Sequence, residues 1–131
     1  MSDHRDSVIA RWLRAGDQGD LDAFDALLHE DVMVHAPGGL STSARAQEKD
    51  VWRAALAAMP DLHHEVQEVV AEEGVEMARV IVTGTMVGTF GGVDGTGRSF
   101  RMDQAVVVHL RDGMVQEAWE IADLTALKEQ I

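Results

Sequence analysis

The stretch HLRDGMVQEAWEIADL, His109 to Leu124, decides how the second half of the chain is read. Arg111, Asp112 and Gly113 interrupt two runs suited to strands, so the stretch is a β-hairpin that leads into a short terminal helix. Glu117, Glu120 and Asp123 lie on or just beyond its second strand. Alternation puts residues 117, 119, 121 and 123 on one face and residues 118, 120 and 122 on the other. Only one face can line an interior, so the pairing register selects the acid. A two-residue turn at Asp112-Gly113 would set Ala105 opposite Glu120. A three-residue loop, Arg111 to Gly113, would set Gln104 there. In the second case Gln104, Val106, Val108, Ala118, Glu120 and Ala122 share a face of small residues around one acid, with room for a ligand. The other face then carries Ala105, Val107, His109, Val115, Glu117, Trp119 and Ile121. It is bulky and needs a covering layer, for which a second subunit is the economical candidate.

Upstream of the hairpin the segments Leu62 to Glu72, Val75 to Phe90 and Ser99 to Leu110 are also rich in Val, Ile, Thr and aromatic residues. Glu73-Gly74 and FGGVDGTGR separate them. With Met114 to Ala122 they make four long strands in an antiparallel meander. The first half has helical spacing instead. Val8, Ile9, Trp12 and Leu13 follow Ser7, a suitable N-cap, and Gly16 can close that helix. A second helix is expected behind Asp20, with Leu21, Phe24, Leu27 and Leu28 on one face, ending near His29. VMVH, residues 32 to 35, reads as a short strand stopped by Pro37, Gly38 and Gly39. A third helix is expected from Ser43 to Met59, with Val51, Trp52, Ala55, Leu56 and Met59 on its apolar face and Pro60 at its end. Leu124 to Gln130 supplies a last helical turn or two. Three helices followed by a curved sheet describe an α+β architecture. No repeat or linker divides residues 1 to 131, so a single domain is expected.

The chain has 131 residues, 11 Lys and Arg against 23 Asp and Glu, a net charge of -12, and no cysteine. Such a field repels phosphate backbones and anionic lipid heads, so neither nucleic acid nor a membrane is expected as partner. The absence of cysteine removes disulfides, thiolate metal sites and cysteine nucleophiles. No run approaches a membrane span or a signal peptide, and the expected location is cytoplasmic. His63 and His64 are neighbours on a strand and point to opposite faces, which argues against joint chelation; no metal is expected. FGGVDGTGR lacks the Gly-Lys-Ser/Thr ending of a phosphate loop and reads as a pocket rim. Met33, Met59, Met77, Met86 and Met102 suit an irregular cavity or core. Trp12 and Trp52 have helical-face spacing, for the core or for ligand contact.

The order LDAFDALLHEDVMVHAPGG, AMPDLHHEV, VTGTMVGTFGGVDGTGRSF and HLRDGMVQEAWEIADL resembles the SnoaL-like polyketide cyclases of the nuclear transport factor 2-like superfamily, over residues 8 to 130. The resemblance implies a cone-shaped α+β barrel, with three N-terminal helices packed on a curved antiparallel or mixed sheet around a deep apolar pocket. It also implies a homo-oligomer, a homodimer or higher, formed through the sheet. In such cyclases an acid on the last strand serves intramolecular aldol ring closure without metal or cofactor. Counted from the RDG turn, that position is Glu120, in agreement with the three-residue loop. Gln104 matches a glutamine near the family pocket, and His35 lies near an equivalent polar position. The resemblance is imperfect where the family pattern has histidines: those positions are Val106 and Met86 here, and the acid is Glu in place of Asp. Two relatives of the same superfamily fit less well. Ketosteroid isomerases use a tyrosine, and this chain has none. Limonene epoxide hydrolases use an Arg and two Asp; Arg79 could supply the first, but Ile81 stands where an acid is needed.

The expected function is therefore cyclisation or isomerisation of a small, apolar, carbonyl-bearing molecule by general acid/base catalysis, with no cofactor. Glu120, Asp123 and His35 are the catalytic candidates. Gln104, Val106, Met86, Ala118, Trp52 and Trp12 are the candidates for substrate contact. A non-catalytic ligand-binding or dimerising accessory protein is the alternative, ahead of epoxide hydrolase or dehydratase chemistry.

Overall fold

The computed structural model describes residues 4–131. Helix α1 spans Val8–Asp17, strand β1 Leu28–His35, helix α2 Arg45–Ala58, β2 His63–Glu72, β3 Val75–Thr85, β4 Ser99–Arg111, β5 Met114–Ala122 and α3 Leu124–Gln130. The strands form one mixed sheet in the order β1-β5-β4-β3-β2. The last four make the expected antiparallel meander, and β1 joins the edge of β5 in parallel. Burial alternates along β3 and β4, with Ala78, Val80, Val82, Phe100, Val106 and Val108 all pointing into the core. The helices cover that face, since an amphipathic stripe and a half-buried sheet must bury their apolar sides against each other.

Helix α1 is fixed at both ends. Ser7 caps it through its side chain, which accepts from the Ala10 amide. Glu76, buried on β3, accepts from the Val8 and Ile9 amides at 3.2 and 3.0 Å. A carboxylate there meets the positive end of the helix dipole and satisfies amides that no helical carbonyl can reach. At the other end Asp17 accepts from the His64 backbone amide on β2 at 2.6 Å. The chain leaves the helix through Gly19, at φ +71°, so Gly19 and not Gly16 provides the left-handed exit. Gly16 has a different role: a Cβ on it would stand 2.4 Å from the Trp52 ring, so glycine lets α1 and α2 approach.

The expected second helix is a 3-10 stretch, Leu21–Ala26, and Asp20 makes no side-chain cap. Leu28 already pairs with Val115 of β5, so sheet pairing captures the end of that apolar pattern. Strand β1 is correspondingly longer than residues 32 to 35. Helix α2 starts two residues later than Ser43, whose amide is held by the Gln47 side chain. Strand β3 stops at Thr85 and does not reach Phe90. Beyond it the Met86 amide donates to the Arg98 carbonyl and the Val87 amide to the Ala58 carbonyl, which folds residues 86 to 98 over the end of α2.

The hairpin register corrects both sequence alternatives. Arg111 pairs with Met114 across a two-residue turn in which Asp112 and Gly113 both have positive φ, 54° and 77°. That pairing matches the right-handed strand twist. A bulge follows: Leu110 faces Val115, but His109 faces Glu117, which leaves Gln116 as the extra residue. Val106, and neither Gln104 nor Ala105, therefore stands opposite Glu120. The actual partner is two residues from Gln104, so the face expected from the three-residue loop is kept although the loop is not. The bulge also turns Val115, expected on the outer face, fully into the core.

Candidate active site

Between the sheet and the helices lies a cavity of about 130 Å³. Its floor comes from β3 to β5 through Val82, Met102, Gln104, Glu120 and Ala122, and α2 contributes Glu48, Trp52, Ala55 and Met59. Pro37, Gly38 and Leu40 line it together with Phe90, Gly91 and Val93, and Gly38 and Leu40 lie against Gly91, so the glycine-rich segment contributes to its wall. A space of this size is comparable to engineered apolar cavities of about 150 Å³ that admit a benzene ring. It suits one ring or the reacting end of a longer molecule.

Of the three hairpin acids, Glu120 lines this cavity. Its side chain sits in the wall of the hollow and keeps some accessible surface because it borders that space. Burial pushes its carboxyl up to about 8, and the nearby Glu48 carboxyl adds to the rise. Desolvation disfavours the charged form, and a second negative charge does the same.

Glu48 was not anticipated as a site residue. It is 2% exposed, and its carboxyl accepts from Thr42 Oγ1 at 3.0 Å and from Trp52 Nε1 at 3.1 Å. Burial raises its pKa, against the opposing effect of those two hydrogen bonds. The cavity thus holds two carboxyls that resist joint ionisation. The signal was present in α2: Glu48 shares the stripe of Trp52, Ala55 and Met59 at helical spacing.

Gln104 also lines the cavity, and its buried Oε1 has no hydrogen-bond partner among the described residues. Rotation of the amide would present its NH₂ at the same place. An unpaired amide facing a cavity is destabilising until a ligand pairs with it. Met86 and Trp52 meet the cavity as expected.

Other candidates lie elsewhere. Val106 and Ala118 are fully buried beneath the floor, and Trp12 is fully buried behind it with its indole N–H unpaired. Asp123 caps α3 by accepting from the Ala126 amide at 3.0 Å. His35 is on the outer sheet face. Its Nε2 lies 2.7 Å from Glu117 Oε2, and its ring stacks on Trp119 with centroids 5.4 Å apart. The odd-numbered parity of His35 next to β5 makes the reason plain: it pairs in register with Trp119, which faces away from Glu120. A polar residue that does reach the cavity is His64, whose side chain is 8% exposed while that of neighbouring His63 is 62% exposed.

A curved mixed sheet with helices on one face and an acid-lined hollow between them defines a nuclear transport factor 2-like α+β fold. The family model for SnoaL-like polyketide cyclases matches residues 7–131, and the chain belongs to that family. Among solved structures it is similar to IdmH from Streptomyces antibioticus, a proposed polyketide cyclase, at 30% identity, 94% coverage of both chains and a TM-score of 0.81. AclR from Streptomyces galilaeus, a proposed hydroxylase, is 27% identical over 92% of this chain and 89% of that one, with a TM-score of 0.75. TsrD from Streptomyces laurentii, 24% identical over 94% of this chain and 90% of that one at a TM-score of 0.83, supports the fold alone. None of the curated protein sequences matches this chain. No described helix is long and apolar enough to cross a membrane.

Proposed function

We propose that the protein is a cofactor-independent cyclase or isomerase that acts on an apolar, carbonyl-bearing small molecule, with Glu120 as general acid. The observation that carries this reading is a carboxyl raised to about 8 on the wall of a mostly apolar cavity. At neutral pH such a group is mostly protonated, yet close enough to its titration point to give up the proton and recover it. In an intramolecular aldol addition, a carbon next to one carbonyl loses a proton, the resulting enolate carbon bonds to a second carbonyl carbon, and that oxygen becomes an alkoxide. Glu120 donates its proton to the alkoxide, and the Gln104 amide holds a carbonyl oxygen. Glu48, kept in place by Thr42 and Trp52, disfavours the Glu120 anion until the substrate needs the proton.

Ring closure of heptane-2,6-dione, followed through the absorbance of the enone that forms after loss of water, tests the reading. The protein should accelerate closure, and Glu120→Gln should remove that acceleration by roughly a hundred- to ten-thousandfold. Equal rates for the two proteins would refute it. Met86 and Val106, at positions where the family pattern has histidines, support a second reading as a non-catalytic binder of an apolar ligand. A lipophilic molecule that co-purifies with the protein and leaves it unchanged would favour that reading.

The same proposal includes a homo-oligomer formed through the outer sheet face. There Val70, Met77, Val107, Trp119 and His35 form one continuous row across the five strands, and Val70 and Met77 are 63% and 51% exposed.

A further inference from the structure

The acid assigned to Glu120 leaves the base of the reaction without an owner. Across the cavity from β5, at the other edge of the meander, His64 projects from β2 into the same hollow. Its Nδ1 lies 2.7 Å from Asp17 Oδ1, and Asp17 is itself 10% exposed. A carboxylate accepts only, so this contact places the ring proton on Nδ1. Nε2 is then the nitrogen with a lone pair, and it has no partner among the described residues. The second Asp17 oxygen takes the His64 backbone amide, so ring and backbone are oriented by one carboxylate. Asp17 is also the last residue of α1, where the helix dipole disfavours negative charge. A buried acid kept against that local preference is the type of exception found where function requires it.

The base must not exchange its proton directly with the acid. No hydrogen bond joins His64 to Glu48 or Glu120. The Trp52 ring lies beside the His64 ring, 5.3 Å away by centroids, and its Nε1 donates to Glu48. The titratable groups around His64 are Asp17 from α1, His63 beside it with Nδ1 3.7 Å from Asp17, and, lining the same cavity, Glu48 from α2 and Glu120 from β5.

We infer that His64 is the general base of this site, oriented by Asp17, and that it works opposite Glu120 on a substrate with two reacting carbonyl centres. The inference rests on the function proposed above. His64 Nε2 takes the proton from the carbon next to the first carbonyl, and the C–H electron pair passes into the enolate. The enolate carbon forms the new C–C bond to the second carbonyl carbon, and that oxygen receives the Glu120 proton. No atom is gained or lost in the addition. His64 then returns its proton to solvent and Glu120 regains one. Asp17 is a positioning residue and touches no reacting atom. The arrangement requires a molecule with two reacting carbonyl centres, which a simple ketone does not have.

The test uses the full chain with heptane-2,6-dione in D₂O, reading α-proton exchange by NMR and ring closure by absorbance across pH. The wild-type closure rate should fall on the alkaline side, as Glu120 loses its proton. His64→Gln should lose at least a hundredfold in both exchange and closure. The fold should survive, because Asp17 still accepts the backbone amide of residue 64. Glu120→Gln should lose closure and the alkaline limb but retain exchange. Asp17→Asn should lower kcat for exchange with KM unchanged, because an amide N–H turned toward Nδ1 leaves the ring proton on Nε2; a merely structural role would leave that kcat in place. If His64→Gln keeps wild-type exchange while Glu120→Gln loses closure, the inference about His64 is overturned and the role of Glu120 stands. If wild-type protein accelerates neither exchange nor closure, both are overturned.

Discussion

Replacing Glu120 by Gln should make the protein more stable at alkaline pH while it removes activity. In the unfolded chain the carboxyl titrates at an ordinary 4.5, and in the folded protein at about 8. Between those values the native state holds a proton that the unfolded state has released, so stability falls as pH rises. The favourable condition lies below the unfolded value, and the loss is complete above the folded one. Each pH unit of separation is worth ~1.4 kcal/mol, so the full interval amounts to about 5 kcal/mol. That figure is a ceiling, because a carboxylate bordering an open cavity regains some hydration. Glutamine has nearly the same shape and no charge, so the variant lacks this dependence. Urea unfolding followed by tryptophan fluorescence, at steps from pH 5 to pH 9, would read the difference. The difference between the two proteins should be smallest near pH 5 and widen steadily above it, and by pH 9 Glu120→Gln should have gained several kcal/mol relative to wild type. Trp52, hydrogen-bonded to Glu48 and lining the cavity, makes the signal sensitive to the site itself. Parallel stability curves across that range would refute the claim that the Glu120 carboxyl is enclosed and uncharged at neutral pH.

Three further outcomes follow from the packing. Gly16→Ala should cost about 1–3 kcal/mol in unfolding free energy, since the new Cβ would meet the Trp52 ring at 2.4 Å and overpacking is costly in a dense core. Glu76→Ala should cost a similar ~1–3 kcal/mol by leaving the Val8 and Ile9 amides without their buried acceptor, measurable as a lower urea midpoint. Met77→Lys together with Ile121→Asp, at outer-face positions 51% and 63% exposed, should convert an oligomer to monomer in sedimentation velocity with unchanged far-UV circular dichroism. An unchanged sedimentation coefficient would remove the sheet face as the contact.

Much of the fold was legible because the signals were local. Ser7 capped α1 as its residue type suggests, and the meander followed from long β-rich runs broken by Glu73-Gly74 and Asp112-Gly113. The face of Glu120 could be read although its register could not. Facing depends on parity, and a two-residue turn combined with a one-residue bulge at Gln116 preserves the parity expected from a three-residue loop. The helix expected after Asp20 failed for a non-local reason: Leu28 is taken by β5, a partner 87 residues later in the chain at Val115. Site residues divide the same way. Glu48 could have been found, as an acid inside an apolar helical stripe. His64 could not, because the Asp17 that orients it lies 47 residues away and nothing local marks the pair. His35 was misplaced because the short strand gave no register of its own until β5 fixed it beside Trp119.

The most direct test of the central claim is the titration of the Glu120 side-chain carboxyl itself, followed by its ¹³Cδ chemical shift and assigned by the loss of that resonance in Glu120→Gln. A midpoint near 8 is expected, moving toward lower pH in Glu48→Gln as the neighbouring charge is removed. A midpoint at the ordinary value of 4.5, unmoved by the Glu48 substitution, would contradict the account.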